Sequence, residues 1–298
     1  MRTLLRAVLA SVLLGAVLVG VPDSEVRPTE TALVKVQRAQ GADVSPDVVW
    51  ILGLGSDARP GQRITRSRAD AIQLVGINTR TGAASAIGIP RDSWVSIPGR
   101  GSNRINAALY FGGPQLMAQA VKGLVGIEAD YVFTTGFLGF ANMVKSIGGI
   151  TVDSRHAFSD PYLRPKGFKK GRNYVNGLGA TNFARIRKSL PGGDFDRSAN
   201  QQETIRAVWR KVRANARKPG FLEKGTFSVL RNMETDASPQ ELFRLAQAMT
   251  IVQPGKVRGC VVGGSFGNVN GASIIFPNRA QAQRYGNDAR KDGTIKRC

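Results

Sequence analysis

A chain of 298 residues has room for one large core or two modest ones, and 42% hydrophobic with 21% charged residues excludes a disordered polymer. Lysine and arginine outnumber aspartate and glutamate 42 to 21, and the resulting net charge of +21 points to a polyanionic partner. Nucleic acid, anionic lipid and phosphate-bearing polymers all meet that condition.

Arg2 and Arg6 lead into an uncharged apolar run from Ala7 to Val21, closed by Pro22 and Asp23. A bilayer span needs about 20 apolar residues, which the run reaches only if Thr3 to Leu5 extend it. No clear Ala-x-Ala site follows, so residues 1–22 read as a membrane anchor, with a cleaved signal segment as the competing reading. The arginines on its N-terminal side place the rest of the chain outside the cytoplasm, at the cell membrane. Residues 23–47 are polar and proline-punctuated and read as a stalk.

Val48 to Leu52 is a continuous apolar run ending in Gly53 and Gly55, as a buried strand would. Ala71 to Ile77, Ala84 to Ile89 and Trp94 to Ile97 predict further strands. The period then changes: Asn106 to Tyr110 and Pro114 to Leu124 carry helical spacing, with Pro114 suited to a first turn. Tyr131 to Thr134 predicts a strand, Phe137 to Ile147 a helix closing on Gly148-Gly149, and Ile150 to Val152 a strand. Residues 155–178 are basic and turn-rich. A helix is predicted over Ala180 to Lys188, followed by the loop Pro191-Gly192-Gly193. Ile205, Val208, Trp209 and Val212 then mark an amphipathic helix. Ser238-Pro239-Gln240-Glu241 has the form of a capping box. Strand and helix alternate, which predicts a layered α/β/α domain around a central mixed sheet behind an N-terminal membrane segment. Residues 48–220 would form the main domain, and a helix and strand within 221–298 would complete it.

Cys260 and Cys298 are the two cysteines, and in an exported protein they predict one disulfide, against two unpaired thiols.

The chemistry-bearing residues fall in two clusters about a hundred positions apart. The first holds Asp57, Arg68, Asp70, Arg91 and Asp92; the second holds Arg185, Arg187, Asp194, Arg197 and Gln201. Arginine forks match phosphate oxygens two at a time and stay charged at physiological pH. Asp57 and Asp70 lie at adjacent strand ends, where two carboxylates can share a hard cation, though aspartates in turns commonly satisfy local backbone donors instead. Arg197 and Gln201 are i and i+4 on one helix. Asp194 stands where it can cap that helix or orient an arginine. His156, the one histidine, lies in a loop and is a weak catalytic candidate.

These motifs resemble the LytR-CpsA-Psr family of cell-envelope proteins. The resemblance runs from about Trp50 to Arg210 through Gly55-Ser56-Asp57-Ala58-Arg59, Arg68-Ala69-Asp70, Ile89-Pro90-Arg91-Asp92-Ser93 and Arg104-Ile105-Asn106-Ala107-Ala108. It continues through Ser146 to Val152, Arg185-Ile186-Arg187, Gly193-Asp194-Phe195-Asp196-Arg197 and Gln201-Gln202. It implies a phosphotransferase that moves a glycan polymer from an undecaprenyl-pyrophosphate carrier onto peptidoglycan, with magnesium, or manganese in its place. Asp57 and Asp70 would then be the metal carboxylates. Arg68, Arg91, Arg185, Arg187 and Arg197, with Gln201, would clamp the pyrophosphate. Arg91, Asp92 and Asp194 would carry catalysis, with Asp92 or Asp194 as the base. A hydrophobic lipid channel is also implied, with the helices between Asn106 and Ile147 as its walls. Arg104, Lys145 and Asn200 depart from the family pattern, and Asn200 thins the clamp on one side. The polymer stays open among arabinogalactan, teichoic acid and capsular glycan. Competing readings are a non-catalytic binder of anionic wall polymer and a nucleic-acid-binding protein. The apolar N-terminus and the predicted disulfide argue against the latter.

Overall fold

A computed structural model describes residues 30–36, 47–219 and 233–298. The central sheet is mixed and seven-stranded. Its long middle strands are β2 (Val48–Ser56) and β3 (Ala69–Asn78), antiparallel to each other, and β3 continues into antiparallel β4 (Ala84–Gly88). After the hairpin of β5 (Trp94–Ile97) and β6 (Gly101–Arg104), helix α1 (Ala107–Val125) returns the chain to β7 (Tyr131–Thr135), parallel to β2. On the outer side of β7 lies β1 (Thr31–Lys35), antiparallel to it.

The stalk reading of residues 23–47 is corrected by β1. Ala32 and Leu33 are buried, and the register Thr31↔Thr135 inserts the strand into the sheet. A strand of five residues is too short to show a clear period, and its pairing partners, β7 and the C-terminal strand beside it, lie about one and two hundred residues away. The membrane segment and the rest of the stalk lie outside the described residues. No helix among the described residues is long and apolar enough to cross a membrane.

Helix α2 (Phe137–Ser146) leads to β8 (Ile150–Ser154), and the basic stretch that follows folds as β9 (Phe158–Asp160), β10 (Arg164–Phe168) and β11 (Gly171–Val175). Helix α3 (Gly177–Arg185) starts three residues before its predicted start because Asn176 caps it, accepting the Gly179 N–H at 2.9 Å. The long α4 (Asp194–Asn215) follows the glycine loop.

The C-terminal segment contributes more than a helix and a strand. It supplies both sheet edges, β12 (Met233–Thr235) beside β1 and β13 (Val257–Val261) beside β4. Between them lies α5 (Pro239–Ile251), capped by Ser238 and Glu241 in the predicted reciprocal arrangement. The hairpin β14 (Gly264–Val269) and β15 (Ala272–Pro277) and helix α6 (Arg279–Asp292) end the fold. Cys260 on β13 is disulfide-bonded to Cys298.

Three layers result. Trp50, Leu52, Leu54, Ile72 and Leu74 pack one sheet face against Met117 and Val121 of α1 and Tyr285 of α6. The two helices touch so closely that a Cβ at Gly286 would lie 1.9 Å from the Val125 carbonyl oxygen, so only glycine fits. On the other face Val75, Ile77 and Ala86 meet Trp209 of α4 and Ala248 of α5. A satellite core of Val144, Phe158, Phe168, Phe183 and Ala207 joins α2, α3 and α4 to the small hairpins. Within α1, Gly113 takes φ +69° and Pro114 restarts the helix, so the two predicted helical pieces meet at a break.

Candidate active site

Strands β2 and β3 end together, and the site is built on that end. The register runs Gly55↔Ala71 and then Ser56↔Ala69, so Asp70 is the extra residue of a bulge, the device by which a strand re-aims a side chain. Asp57 follows β2 directly. Its Oδ1 accepts from Ser67 Oγ at 2.5 Å and from the Arg68 N–H at 3.1 Å.

From the end of β4 the chain turns through Pro90, and the Arg91 guanidinium pairs with Asp70. The Arg91 backbone N–H donates to Asp194 Oδ2 at 3.1 Å, across 103 residues of sequence. Asp194 is the first residue of α4, not its cap, which is Gly193. Its Oδ1 pairs with Arg197 one turn on, and both side chains are only 4% exposed. Asp92 gathers three guanidiniums: Arg187 at 3.3 Å, and Arg91 and Arg104 at 3.8 Å each. Arg187 also stands 3.8 Å from Asp194.

Four guanidiniums (Arg91, Arg104, Arg187, Arg197) thus interleave with three carboxylates (Asp70, Asp92, Asp194). Arg185 adds a further cation, its guanidinium carbon 4.2 Å from the centre of the Phe137 ring. The surplus of positive charge is what a bound anion would meet. Gln201 sits among these groups, accepting from Gln73 Nε2 at 3.1 Å and donating to the carbonyls of Ala184 at 3.2 Å and Asp70 at 3.4 Å.

The surroundings move the ionisation of three groups. Burial raises the Asp194 carboxyl above its ordinary value, although Arg197 opposes the shift. Burial likewise lowers the Arg197 guanidinium, which Asp194 offsets in part. At Arg91 burial acts downward, but Asp70, Asp92 and Asp194 together outweigh it and hold the guanidinium above its usual value.

Arg68 stands apart. Its side chain is exposed, and it forms no ion pair among the described residues; its backbone holds Asp57 instead. His156 faces Asp196 at 3.7 Å and does not join the arginine cluster. Two participants absent from the predicted set are Arg104, present only as a family motif position, and Gln73, a buried strand residue with no distinguishing local signal.

Beside the cluster lies a cavity of about 510 Å³. Ile51, Val75, Ile77 and Phe133 of the sheet form one wall, and Phe140, Ile205, Trp209 and Met249 of α2, α4 and α5 form the other. Asp70, Arg185, Arg197 and Gln201 line the same cavity, so an apolar chamber ends on charged groups. Protein interiors are close-packed, and apolar space of this size is characteristic of a ligand site. The channel walls predicted between Asn106 and Ile147 are corrected in part: α2 lines the cavity, whereas α1 lies on the opposite face of the sheet. Helix α5 forms much of the wall through Leu242, Leu245, Ala246 and Met249.

Comparison with known proteins agrees with this architecture. The chain is 34% identical over 167 residues to the polyisoprenyl-teichoic acid–peptidoglycan teichoic acid transferase TagU of Bacillus subtilis, covering 55% of this chain and 52% of TagU. It is 30% identical over 251 residues to the probable cell wall biosynthesis protein LcpB of Corynebacterium glutamicum, covering 78% of this chain and 59% of LcpB. The chain thus spans a little over half the length of these relatives. The solved structure of the family protein YwtF (TagT) with bound octaprenyl pyrophosphate lipid superposes with a TM-score of 0.64 at 22% identity, over 87% of this chain and 95% of that one. Residues 24–291 match the LytR_cpsA_psr family, and the chain belongs to it.

Proposed function

We propose that the protein is a phosphotransferase that moves a glycan polymer from a polyprenyl-pyrophosphate carrier to peptidoglycan, outside the cytoplasm and tethered by its N-terminal segment. The observation that carries this reading is the apolar cavity that ends on Arg185, Arg197 and Gln201. A lipid tail requires the chamber and a pyrophosphate requires the guanidiniums, and the two needs meet at one place. The names of TagU and of lipid-bound TagT support the same chemistry.

In the proposed reaction a sugar hydroxyl oxygen attacks the phosphorus that bears the glycan polymer. A new O–P bond forms, the bond from that phosphorus to the bridging oxygen breaks, and polyprenyl phosphate leaves with the bridging oxygen. Such transfers depend on in-line positioning and charge neutralisation more than on covalent help. Arg91, Arg185, Arg187 and Arg197 bind the diphosphate and offset the charge gathering on the leaving group.

Asp194, only 4% exposed, is ion-paired with Arg197 and accepts from the Arg91 N–H, and serves as a positioning residue. Asp92, 17% exposed, is the candidate acceptor for the hydroxyl proton.

Asp57 and Asp70 suit a divalent cation in donor type. Both are oxygen ligands at neighbouring strand ends, and Oδ2 of each takes no hydrogen bond among the described residues. No group of three or more metal-binding side chains occurs among the described residues, so a cation held here would need water and phosphate oxygens as well, as magnesium commonly does. Bound there, magnesium or manganese would supply Lewis-acid neutralisation of the phosphates.

Purified protein supplied with a polyprenyl-pyrophosphate glycan and peptidoglycan should form the linked polymer and release polyprenyl phosphate. Chelation should abolish turnover, and added magnesium should restore it. Tight binding of both substrates without product would establish a non-catalytic binder instead.

A further inference from the structure

A second cavity, of about 320 Å³, lies between the 190–193 loop and the β14–β15 hairpin. It shares no lining residue with the apolar chamber, yet the two are joined pair by pair across the ion cluster. Asp194 lines the second cavity while its partner Arg197 lines the first. Asp92 lines the second, and Arg91 links it to Asp70 of the first. The two spaces therefore reach one set of phosphate-binding groups through different residues. An in-line displacement needs this division, since the attacking oxygen and the leaving oxygen occupy different sides of the phosphorus.

The walls of the second cavity differ in kind from those of the first. Asp92, Arg187, Lys188 and Ser273 make it polar, and the exposed ring of Phe266 (66% exposed) adds an aromatic face. The hairpin that carries Phe266 and Ser273 is fixed to the catalytic turn. The Ile275 N–H donates to the Asp92 carbonyl at 2.9 Å, and Arg104 Nη2 donates to the Ser273 carbonyl at 2.7 Å. Phe266 also meets the first turn of α4 through Phe195, ring centres 5.6 Å apart. At the opposite wall Gly193 has φ +54° and open space where a Cβ would stand, so the backbone leaves room for close approach.

We propose that this cleft is the acceptor subsite, and that it takes a polysaccharide strand bearing a free sugar hydroxyl and nearby carboxylates. The sugar ring lies on Phe266, Lys188 meets a carboxylate, and the hydroxyl oxygen faces the cluster beside Asp92. On forming its bond to phosphorus that oxygen gives its proton to the Asp92 carboxylate, while the bridging oxygen departs on the lipid side. This assignment rests on the phosphotransferase reading above.

The test uses the full chain, with Phe266→Ala to remove the stacking face and Ser273→Trp to fill the cleft. Transfer from a polyprenyl-pyrophosphate-linked sugar is followed against rising concentrations of soluble uncrosslinked peptidoglycan, and donor affinity is measured separately. Acceptor KM is expected to rise roughly tenfold or more in both variants, with donor affinity retained as the control for a folded clamp. An unchanged acceptor KM in both would overturn the assignment while leaving the phosphotransferase reading standing. Weakened donor affinity with unchanged acceptor KM would assign the cleft to the donor's glycan and overturn it too. If wild-type protein binds donor but transfers nothing, the phosphotransferase reading fails and the acceptor cleft fails with it.

Discussion

Arg91 is where the two sequence clusters meet: its side chain holds Asp70 and its backbone N–H holds Asp194. Replacing it with alanine should lower transfer by roughly 10²- to 10³-fold, the cost of removing one preorganised electrostatic donor, while circular dichroism stays that of the wild type. Full activity in folded Arg91→Ala protein would count heavily against the site. Asp194 behaves differently because it is buried with Arg197. Asp194→Asn removes a charge that burial disfavours, so stability in denaturant unfolding near neutral pH should not fall, whereas transfer should fall because Arg197 and Arg91 lose the carboxylate that positions them. The pH dependence has a definite sign. The folded carboxyl titrates above its ordinary 3.8, so the stability it contributes is present below 3.8 and lost as pH rises through the raised value. Catalysis runs the other way, since protonation releases Arg197 and Arg91. The acid limb of kcat should therefore be centred above 3.8, and a limb at or below that value would remove Asp194 from its positioning role. The residue types were legible as phosphate chemistry because arginines without histidine or cysteine have few other uses. Their pairing was not, because Asp92 and Arg187 are 95 positions apart and no local pattern links them.

Helix α4 shows where element-scale reading succeeds and where it stops. Its C-terminal half carries the apolar spacing, and Ile205, Val208, Trp209 and Val212 all line the apolar chamber as that stripe predicts. Its first half looks like a solvated face, yet Arg197, Ser198, Asn200, Gln201, Gln202, Glu203 and Thr204 are buried. Each needs partners there, and most have them from distant strands. Gln202 Nε2 donates to the carbonyls of Ala86 and Cys260 at 3.2 and 2.8 Å, and Glu203 accepts from the Asp153 N–H at 3.0 Å. A polar helix inside a protein is specified by what surrounds it, which periodicity does not record. Helix α5 makes the complementary case: its capping box is legible residue by residue, but the space it encloses is not. Ala246 faces that space, and Ala246→Trp should fill part of it without disturbing the cap. Affinity for a long polyprenyl pyrophosphate should fall, while a short-chain isoprenyl pyrophosphate, which needs only the clamp, should bind as before. Equal binding of both lipids by the variant would place the tail elsewhere.

At the scale of the whole molecule, the C-terminal segment closes the fold from both sides, contributing β12 and β13 to the two edges of the sheet. The Cys260–Cys298 bond spans 38 residues and ties the chain end to β13, which among the described residues is an edge strand paired with β4. On the chain-entropy argument Cys298→Ser should cost roughly 4 kcal/mol. Denaturant unfolding with and without reductant checks this: the wild type should lose stability on reduction, and the variant should not respond. The layered α/β class, most strand positions, the Ser238 cap and the cysteine pair follow from hydrophobic period, turn residues and cysteine usage, all properties of neighbouring residues. Tertiary structure alone decided that Thr31–Lys35 joins the sheet, that α1 turns away from the cavity while α5 lines it, and that Arg68 stays outside the ion cluster. The physical reason is common to all three. Strand pairing, cavity walls and ion pairs are made between residues tens to hundreds of positions apart, and their energies depend on a separation in space that sequence distance does not encode.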